Sequence, residues 1–184
     1  MTRLITLVCG DYDRTRRLLD GTIGLDGYRI EATTLPAEEM FGRVLNEAVF
    51  DITELSASIF LSQLSTGTCP YIGVPAFPSR AFRHGAIYIR SDSAISRPQD
   101  LQGKTIGVRS YLNTAALVVR GILQEEFGVA ARDIRWRLGD VDEPERKTIP
   151  LPKLAGSFDI DALPYGTTLS AALLSGSIDA IVHY

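Results

Sequence analysis

The stretch TIGVRSYLNTAALVVRGILQEEFG, residues 105–128, decides the fold, because it joins a strand to a helix through a short polar turn. Its apolar start, residues 105–110, predicts a strand. Residues 113–128 form the strongest helical pattern in the chain, and Asn113 or Thr114 suits the N-cap position. A strand that runs directly into a helix is typical of parallel α/β sheets.

The same alternation of strands and helices continues on both sides of this stretch. We predict further strands at residues 4–9, 28–35, 50–55, 71–77, 85–90, 133–139, 159–166 and 178–184. We predict further helices at residues 13–21, 36–47, 56–65 and 167–177, and polar connections at 91–104 and 140–158. Strands that alternate with helices at short spacing predict mostly parallel, doubly wound sheets.

The pattern divides into two α/β lobes, residues 1–88 and 89–184, which are joined by a single crossing. The sequence stops directly after a predicted strand. Because parallel sheets normally bury both faces, we expect more polypeptide to follow this strand in a complete protein. An unfinished sheet edge also favours association with another copy, so we expect a homo-oligomer.

Composition argues against several classes of protein. A net charge of −3 and a pI near 5.4, without a long run of like charges, disfavour nucleic-acid and anionic-membrane partners. No apolar stretch approaches the length of a membrane span. The apolar run at residues 4–9 is too short for the core of a signal peptide, so we expect a cytoplasmic protein.

The cysteines and histidines do not predict a metal site. Cys9 and Cys69 lack the spacing of metal ligands, which favours buried or idle thiols and leaves a disulfide open. The two histidines, His84 and His183, lie far apart in the sequence. We therefore predict no metal ligands, and a divalent metal bound by carboxylates stays an open alternative that nothing in the sequence demands.

Polar turns follow four of the predicted strands, and in open α/β sheets ligands bind outside the carboxyl ends of the strands. Helix N-termini at such turns offer unpaired N–H groups. The candidate ligand-binding side chains there are Asp11, Tyr12, Arg14, Glu54, Ser56, Ser110, Tyr111, Asn113, Thr114, Tyr165 and Thr167. In two of these turns, capping of the following helix would explain one polar side chain without any ligand. That side chain is Asp11 or Asp13 in the first turn and Ser56 in the second. Glu54 ends a buried strand, so we expect its carboxylate to face a cleft or to pair with an arginine.

The segment PAFPSRAFRHG, residues 75–85, gathers Arg80, Arg83 and His84 at the end of the first predicted lobe. Arginine suits bidentate recognition of a carboxylate, and two arginines suit an ortho-dicarboxylate. The two prolines would stiffen the segment and lower the entropy cost of aiming these side chains. A solvated basic loop is the alternative interpretation, and we favour an anion site.

Six segments together resemble the 4,5-dihydroxyphthalate decarboxylase family, a branch of the type II periplasmic-binding-protein-like fold. They occur in the order of the family and cover nearly the whole chain. PSRAFRH and CGDYDRT are the most particular to this branch, whereas DLQGKTIGV is shared among solute-binding folds. The segments are residues 9–15, 50–61, 75–89, 100–108, 114–129 and 163–181.

The resemblance implies two lobes around a cleft, with the chain crossing near residues 85–90 and returning beyond residue 184. Lobe one would then be incomplete in this sequence, which would be truncated at its C-terminal side. The implied activity is decarboxylation of a dihydroxylated aromatic dicarboxylate, of the type that converts 4,5-dihydroxyphthalate to protocatechuate. The implied partner is a small aromatic carboxylate.

In such a substrate each carboxylate has a hydroxyl para to it, so the substrate supplies its own electrons and no organic cofactor is needed. We expect Arg80 and Arg83 to hold carboxylates together with the turn at residues 110–114. Glu54 or Asp11 would take the phenolic proton, and His84 or Tyr12 would donate a proton to the ring carbon. The rival hypothesis is a solute-binding module that binds a small anion without chemistry, because fold alone does not imply function.

Overall fold

The computed structural model describes residues 2–144 and 158–183 and divides into two compact units, Met1–Ala81 and Phe82–Tyr184. We describe each unit by itself. The assignment of lobe one to residues 1–88 and of lobe two to residues 89–184 stays a prediction. Most of the polar connection predicted at 140–158 lies outside the described residues.

The first unit is built on a parallel sheet of three strands in the order β2-β1-β3. The register pairs Cys9 with Thr34 on one side of β1 and Val8 with Thr53 on the other. Its elements are β1 (Arg3–Cys9), α1 (Arg16–Leu19), β2 (Tyr28–Thr34), α2 (Ala37–Glu47), β3 (Ile52–Thr53) and α3 (Ala57–Thr66). The carboxyl ends of the three strands therefore meet at one edge of the sheet.

The core of the first unit is small. Val8 of β1 and Met40 and Val44 of α2 are fully buried and form its centre. Met40 and Val44 are four residues apart on the helix, so both face the sheet. Partly buried side chains pack around them: Leu35, Phe41, Phe50, Leu55 and Tyr71.

The predicted strand at residues 71–77 is wrong. This segment is irregular, and Ile72, Val74 and Phe77 are 94%, 70% and 69% exposed. Pro70 and Pro75 lack the amide hydrogen that a sheet ladder requires, which explains why an apolar run does not form a strand here.

The second unit carries a sheet of five strands in the order β4-β8-β5-β6-β7, in which all neighbours except β4 and β8 are parallel. Its elements are β4 (Ile87–Ile89), β5 (Thr105–Val108), α4 (Thr114–Phe127), β6 (Arg135–Leu138), β7 (Ile160–Ala162), α5 (Leu169–Ser175) and β8 (Ala180–Val182). Short 3-10 helices occupy His84–Ala86, Pro98–Leu101 and Ala131–Asp133. Both units thus confirm an α/β fold with sheets rich in parallel pairs.

The stretch at residues 105–128 forms the predicted strand, turn and helix. Asn113 is the N-cap of α4, and its side-chain oxygen accepts a hydrogen bond from the Ala116 amide at 2.6 Å. Gly128 ends the helix with φ of 73°, a left-handed conformation that glycine adopts without steric cost. The predicted cap is confirmed.

Trp136 lies at the centre of the larger core of the second unit, which joins the sheet to α4. Its side chain is fully buried, and its indole N–H donates to the Ala131 carbonyl at 2.9 Å. The Tyr111 ring packs edge-on against it with centroids 5.6 Å apart. The buried Arg120 guanidinium lies 3.7 Å from the centre of the Tyr111 ring and donates to the Tyr111 carbonyl.

Both cysteines are free, and Cys9 is buried. Within the described part of the chain, no helix combines the length and the apolar character that crossing a membrane requires.

Candidate active site

Glu54 and Gly10 meet at the carboxyl edge of the first unit's sheet. The chain leaves β1 at Gly10 and leaves β3 at Glu54, and the parallel pairing of β1 with β3 places these two residues side by side. The Gly10 amide donates to Glu54 Oε2 at 3.1 Å, and the Glu54 amide donates to the Val8 carbonyl at 3.1 Å. The carboxylate is thus held in place by the backbone of the neighbouring strand.

Tyr12 completes this arrangement from the turn that follows β1. Its hydroxyl donates to Glu54 Oε1 at 3.0 Å, so the two carboxylate oxygens have different partners. The buried Thr15 side chain fixes the turn: its Oγ1 accepts from the Tyr12 amide at 3.2 Å and lies 3.1 Å from the Gly10 carbonyl oxygen. The result is a phenol and a carboxylate in direct contact at a strand end.

Pro78 contacts this turn as well. The Arg14 Nε–H donates to the Pro78 carbonyl, and the Arg14 guanidinium carbon is 5.0 Å from the centre of the Tyr12 ring. The bond from Arg14 to Pro78 joins the two sequence segments that are most particular to the resemblance, CGDYDRT and PSRAFRH. We call Gly10, Tyr12, Thr15 and Glu54 the strand-end cluster.

Electrostatics keeps the Tyr12 hydroxyl protonated. Burial raises the pKa of Tyr12 above its ordinary value, Ser79 acts in the opposite direction, and the hydrogen bond to Glu54 raises the pKa further. Burial likewise raises the pKa of the Cys9 thiol. Tyr12 therefore holds a proton at neutral pH, in a position from which it can donate.

Gly10 has no Cβ because the Tyr12 ring occupies that space. A Cβ at residue 10 would lie 2.6 Å from Tyr12 Cζ and 2.7 Å from its hydroxyl oxygen. The close approach of ring and backbone is what brings the phenol to Glu54.

We expect Gly10→Ala to push the Tyr12 ring off Glu54, because the new methyl group and the ring cannot share one position. The loss of one hydrogen bond and the strain should cost about 1–3 kcal/mol of unfolding free energy. Urea unfolding followed by circular dichroism measures this cost, with Gly42→Ala as the control since the space there is open. Equal stability of the two variants would contradict the close approach.

Several predicted site residues of the first unit have other partners. Asp11 is exposed and lies 3.4 Å from the Arg16 guanidinium. Arg14 pairs with Asp13 at 2.6 Å, and this pairing lowers the Asp13 pKa. Ser56 Oγ lies 3.2 Å from Ser58 Oγ, and both residues are buried.

Two local predictions about helix starts need correction. Neither Asp11 nor Asp13 caps α1, whose N-cap is Thr15, and the predicted helix at 13–21 shortens to Arg16–Leu19. Ser56 does occupy the N-cap position of α3, but its hydroxyl makes no capping bond. The described hydrogen-bond partners of the Glu54 carboxylate are a backbone amide and a phenol and not an arginine, and the alternative that it faces a cleft stays a prediction.

In the second unit the predicted residues belong to separate features. His84 Nε2 lies 3.1 Å from Glu126 Oε1, and both side chains are about half exposed. Tyr111 is buried in the core, and Ser110 Oγ accepts from the Leu112 amide at 3.3 Å. Asn113 caps α4 and is followed by Thr114, whereas Tyr165 is 85% exposed and the Thr167 amide donates to the Pro164 carbonyl. A substrate contact by any of these residues stays a prediction.

The two arginines of the 75–85 segment fall in different units. Arg80 is exposed in the first unit, and Arg83 is half-buried in the second. Among the residues that the structure describes, no three His, Cys, Asp or Glu side chains converge as metal ligands would.

Sequence reasoning missed Thr15 and the contact of the Gly10 amide with Glu54. Gly10 and Thr15 lie within CGDYDRT, so their place in this motif was the available signal. The partner of the Gly10 amide is distant in sequence, since Glu54 is 44 residues from Gly10.

The chain is similar to two curated proteins. It is 42% identical over 178 residues to a 4,5-dihydroxyphthalate decarboxylase of Comamonas testosteroni, covering 97% of this chain and 54% of that protein. It is 41% identical over 178 residues to a 4,5-dihydroxyphthalate decarboxylase of Pseudomonas putida, covering 97% of this chain and 69% of that protein. The chain thus spans about half the length of the first relative and about two thirds of the second. No family model matches it.

Proposed function

We propose, since this chain belongs to the 4,5-dihydroxyphthalate decarboxylase family, that it carries the acid–base residues of a carboxy-lyase. The substrate class is a dihydroxylated aromatic dicarboxylate, by analogy with what the relatives' names state. The observation that supports this most directly is the 3.0 Å hydrogen bond from the Tyr12 hydroxyl to Glu54 at the carboxyl edge of a parallel sheet.

The chemistry requires a base and an acid. Removal of the proton from the hydroxyl para to a carboxylate moves electron density onto the carbon that bears that carboxylate. A proton added to this carbon gives a dienone, and the carbon–carbon bond then breaks, so that CO2 leaves and its bonding electrons restore the aromatic ring. The electrons come from the substrate itself, so the proposal needs no organic cofactor.

We assign the base to Glu54 and the acid to Tyr12. Glu54 takes the phenolic proton, and Tyr12 gives its proton to the ring carbon. Because the two groups are hydrogen-bonded, the proton on Glu54 then passes to the Tyr12 oxygen and restores both groups. The product phenolate takes its proton from solvent, which balances the reaction. Asp11 and His84 are the weaker candidates, since Asp11 already lies next to the Arg16 guanidinium and His84 next to the Glu126 carboxylate.

Arg80 and Arg83 are the proposed carboxylate ligands, with Ser110, Asn113 and Thr114 as further candidates. Arg80 lies two residues after Pro78, whose carbonyl contacts Arg14, and the Arg80 guanidinium forms no ion pair with another residue of the described ranges 2–144 and 158–183. Arg14 is the weaker candidate, because its guanidinium already holds the Pro78 carbonyl and Asp13.

We expect Arg80→Ala to raise KM for 4,5-dihydroxyphthalate about 10- to 100-fold, since a charge-assisted hydrogen bond contributes roughly 1.5–3 kcal/mol. Arg80→Lys should recover part of this loss, because it restores the charge without the bidentate geometry. Initial-rate kinetics measures both, with Arg17→Ala on the exposed face of α1 as the control. An unchanged KM in Arg80→Ala would remove Arg80 from the site.

The assignment of the chain to a particular α/β fold is also a proposal. A two-lobed type II periplasmic-binding-protein-like fold is supported by the two α/β units and by the strand-turn-helix that follows DLQGK. A cytoplasmic location and a homo-oligomeric state remain expectations from the sequence.

The test of the function is incubation of the purified protein with 4,5-dihydroxyphthalate while CO2 and protocatechuate are measured. Release of both in equal amounts supports the decarboxylase. Thermal stabilisation by the dicarboxylate without any product would instead favour the solute-binding module.

A further inference from the structure

Arg14 forms three contacts that have no part in the proposed proton transfer. Its Nε–H donates to the Pro78 carbonyl, 64 residues away in the sequence. A terminal N–H of its guanidinium donates to Asp13 Oδ1 at 2.6 Å, and the guanidinium carbon lies 5.0 Å from the centre of the Tyr12 ring. The guanidinium therefore connects the turn that carries Tyr12 with the segment that carries Pro78.

The segment on the other side of this contact, residues 74–81, forms neither a helix nor a strand. Val74 and Phe77 are largely exposed, so burial of apolar side chains does not fix the path of the segment. Pro78 is partly buried, whereas the residues on either side of it are exposed. The segment is thus held against the first unit at the point where Arg14 contacts it.

We infer that Arg14 is a positioning residue, which holds this segment at Pro78 and thereby keeps Arg80 close to the strand-end cluster. Arg80 follows Pro78 by two residues, so its backbone lies no more than about 7 Å from that of Pro78. Arg14 acts through Arg80 and does not itself bind the substrate. This inference rests on the proposed function, in which Arg80 binds a substrate carboxylate.

Arginine suits this role because its planar guanidinium presents donors in several fixed directions. One donor bonds the Pro78 carbonyl and another bonds Asp13, while the guanidinium carbon lies over the Tyr12 ring. The bond to the neutral carbonyl is charge-assisted, which makes it stronger than a bond between two neutral groups. Its loss would let the segment take other paths, and the segment would then have to be ordered when substrate binds.

The effect of Arg14 therefore falls on substrate binding more than on the chemical step. If the segment takes its binding-competent path only part of the time, the apparent affinity falls by that fraction. Tyr12 and Glu54 keep their contacts within the strand-end cluster. We expect Arg14→Gln to raise KM for 4,5-dihydroxyphthalate about 5- to 30-fold, with kcat changed less than about threefold. Arg17→Gln, which removes the same charge from an exposed position on α1, is the matched control and should keep both constants.

Combination with Arg80→Ala separates positioning from direct contact with the substrate. If Arg14 acts through Arg80, Arg14→Gln should raise KM no further in the Arg80→Ala background. Increases in KM that multiply would show that Arg14 binds the substrate itself, and would overturn the positioning role.

Limited digestion of the full chain with trypsin tests the contact without any substrate. Trypsin cuts after arginine, and cleavage of a folded protein requires the chain around the bond to leave its folded path. We expect the cut after Arg80, followed by mass spectrometry, to be about 5- to 30-fold faster in Arg14→Gln than in Arg17→Gln or the unmodified protein. Cleavage after the exposed Arg132 of the second unit is the internal reference and should be equal in all three.

The outcomes are distinct. Faster cleavage after Arg80, together with a raised KM that depends on Arg80, supports the positioning role. Equal cleavage rates in Arg14→Gln and Arg17→Gln would overturn it, as would an active Arg14→Gln variant with unchanged KM, and both results would leave the decarboxylase intact. Absence of turnover in every variant, the unmodified protein included, would overturn the proposed function, and the digestion would still decide whether Arg14 holds the segment.

Discussion

Replacement of Tyr12 by phenylalanine is expected to lower kcat for decarboxylation by about 10²- to 10⁴-fold, the usual contribution of a general acid. The substitution removes one oxygen and leaves the ring in its place against Gly10. Glu54→Gln should produce a loss of similar size, because the amide retains the shape of the side chain but takes no proton from the substrate. Initial rates of CO2 release measure both losses.

The matched control for Tyr12 is Tyr28→Phe, a partly exposed tyrosine at the start of β2 in the same unit. It should keep full activity. Ligand-induced thermal stabilisation should be retained in Tyr12→Phe, since neither Tyr12 nor Glu54 is assigned to carboxylate binding. Full activity of Tyr12→Phe and Glu54→Gln would exclude the acid–base assignment.

Replacement of Trp136 by alanine is expected to lower the free energy of unfolding of the second unit by about 3–5 kcal/mol. Trp136 is fully buried between the sheet and α4, so the substitution leaves a cavity and removes the indole bond to the Ala131 carbonyl. It also deprives the buried Arg120 and Tyr111 of one ring contact. Because Trp136 is the single tryptophan, urea unfolding must be followed by circular dichroism and not by its fluorescence.

Two further substitutions set the upper and lower limits for comparison with this loss of stability. Trp136→Phe should cost less than the alanine variant, since an aromatic ring refills part of the cavity. Leu174→Ala, at a side chain that is 79% exposed, should change stability by less than about 0.5 kcal/mol. An alanine variant at Trp136 that matches Leu174→Ala would show that this core does not determine the stability of the second unit.

Sequence reasoning predicted most accurately those strands, turns and helices that depend on a local residue pattern. The strand, turn and helix at residues 105–128 formed with Asn113 as the cap, because an apolar run, a capping side chain and a helical stretch agree with one another there. The apolar run at 71–77 failed as a strand because its prolines and the lack of a pairing partner among the described strands outweighed its composition.

The site was predictable only in part. Tyr12 and Glu54 were identified because each follows a strand, and parallel pairing brings strand ends to one edge. The contact between Arg14 and the Pro78 carbonyl was out of reach, because it depends on where an irregular segment of the chain passes. No repeating sequence pattern predicts such a path.

A double-mutant cycle on CO2 release from 4,5-dihydroxyphthalate tests the central role of the Tyr12–Glu54 pair most directly. Single-turnover rates would be compared for the unmodified protein, Tyr12→Phe, Glu54→Gln and the doubly substituted protein. If the two groups exchange one proton as a unit, the double variant should lose no more than the slower of the single variants. Losses that multiply, or rates equal to that of the unmodified protein, would contradict the pair.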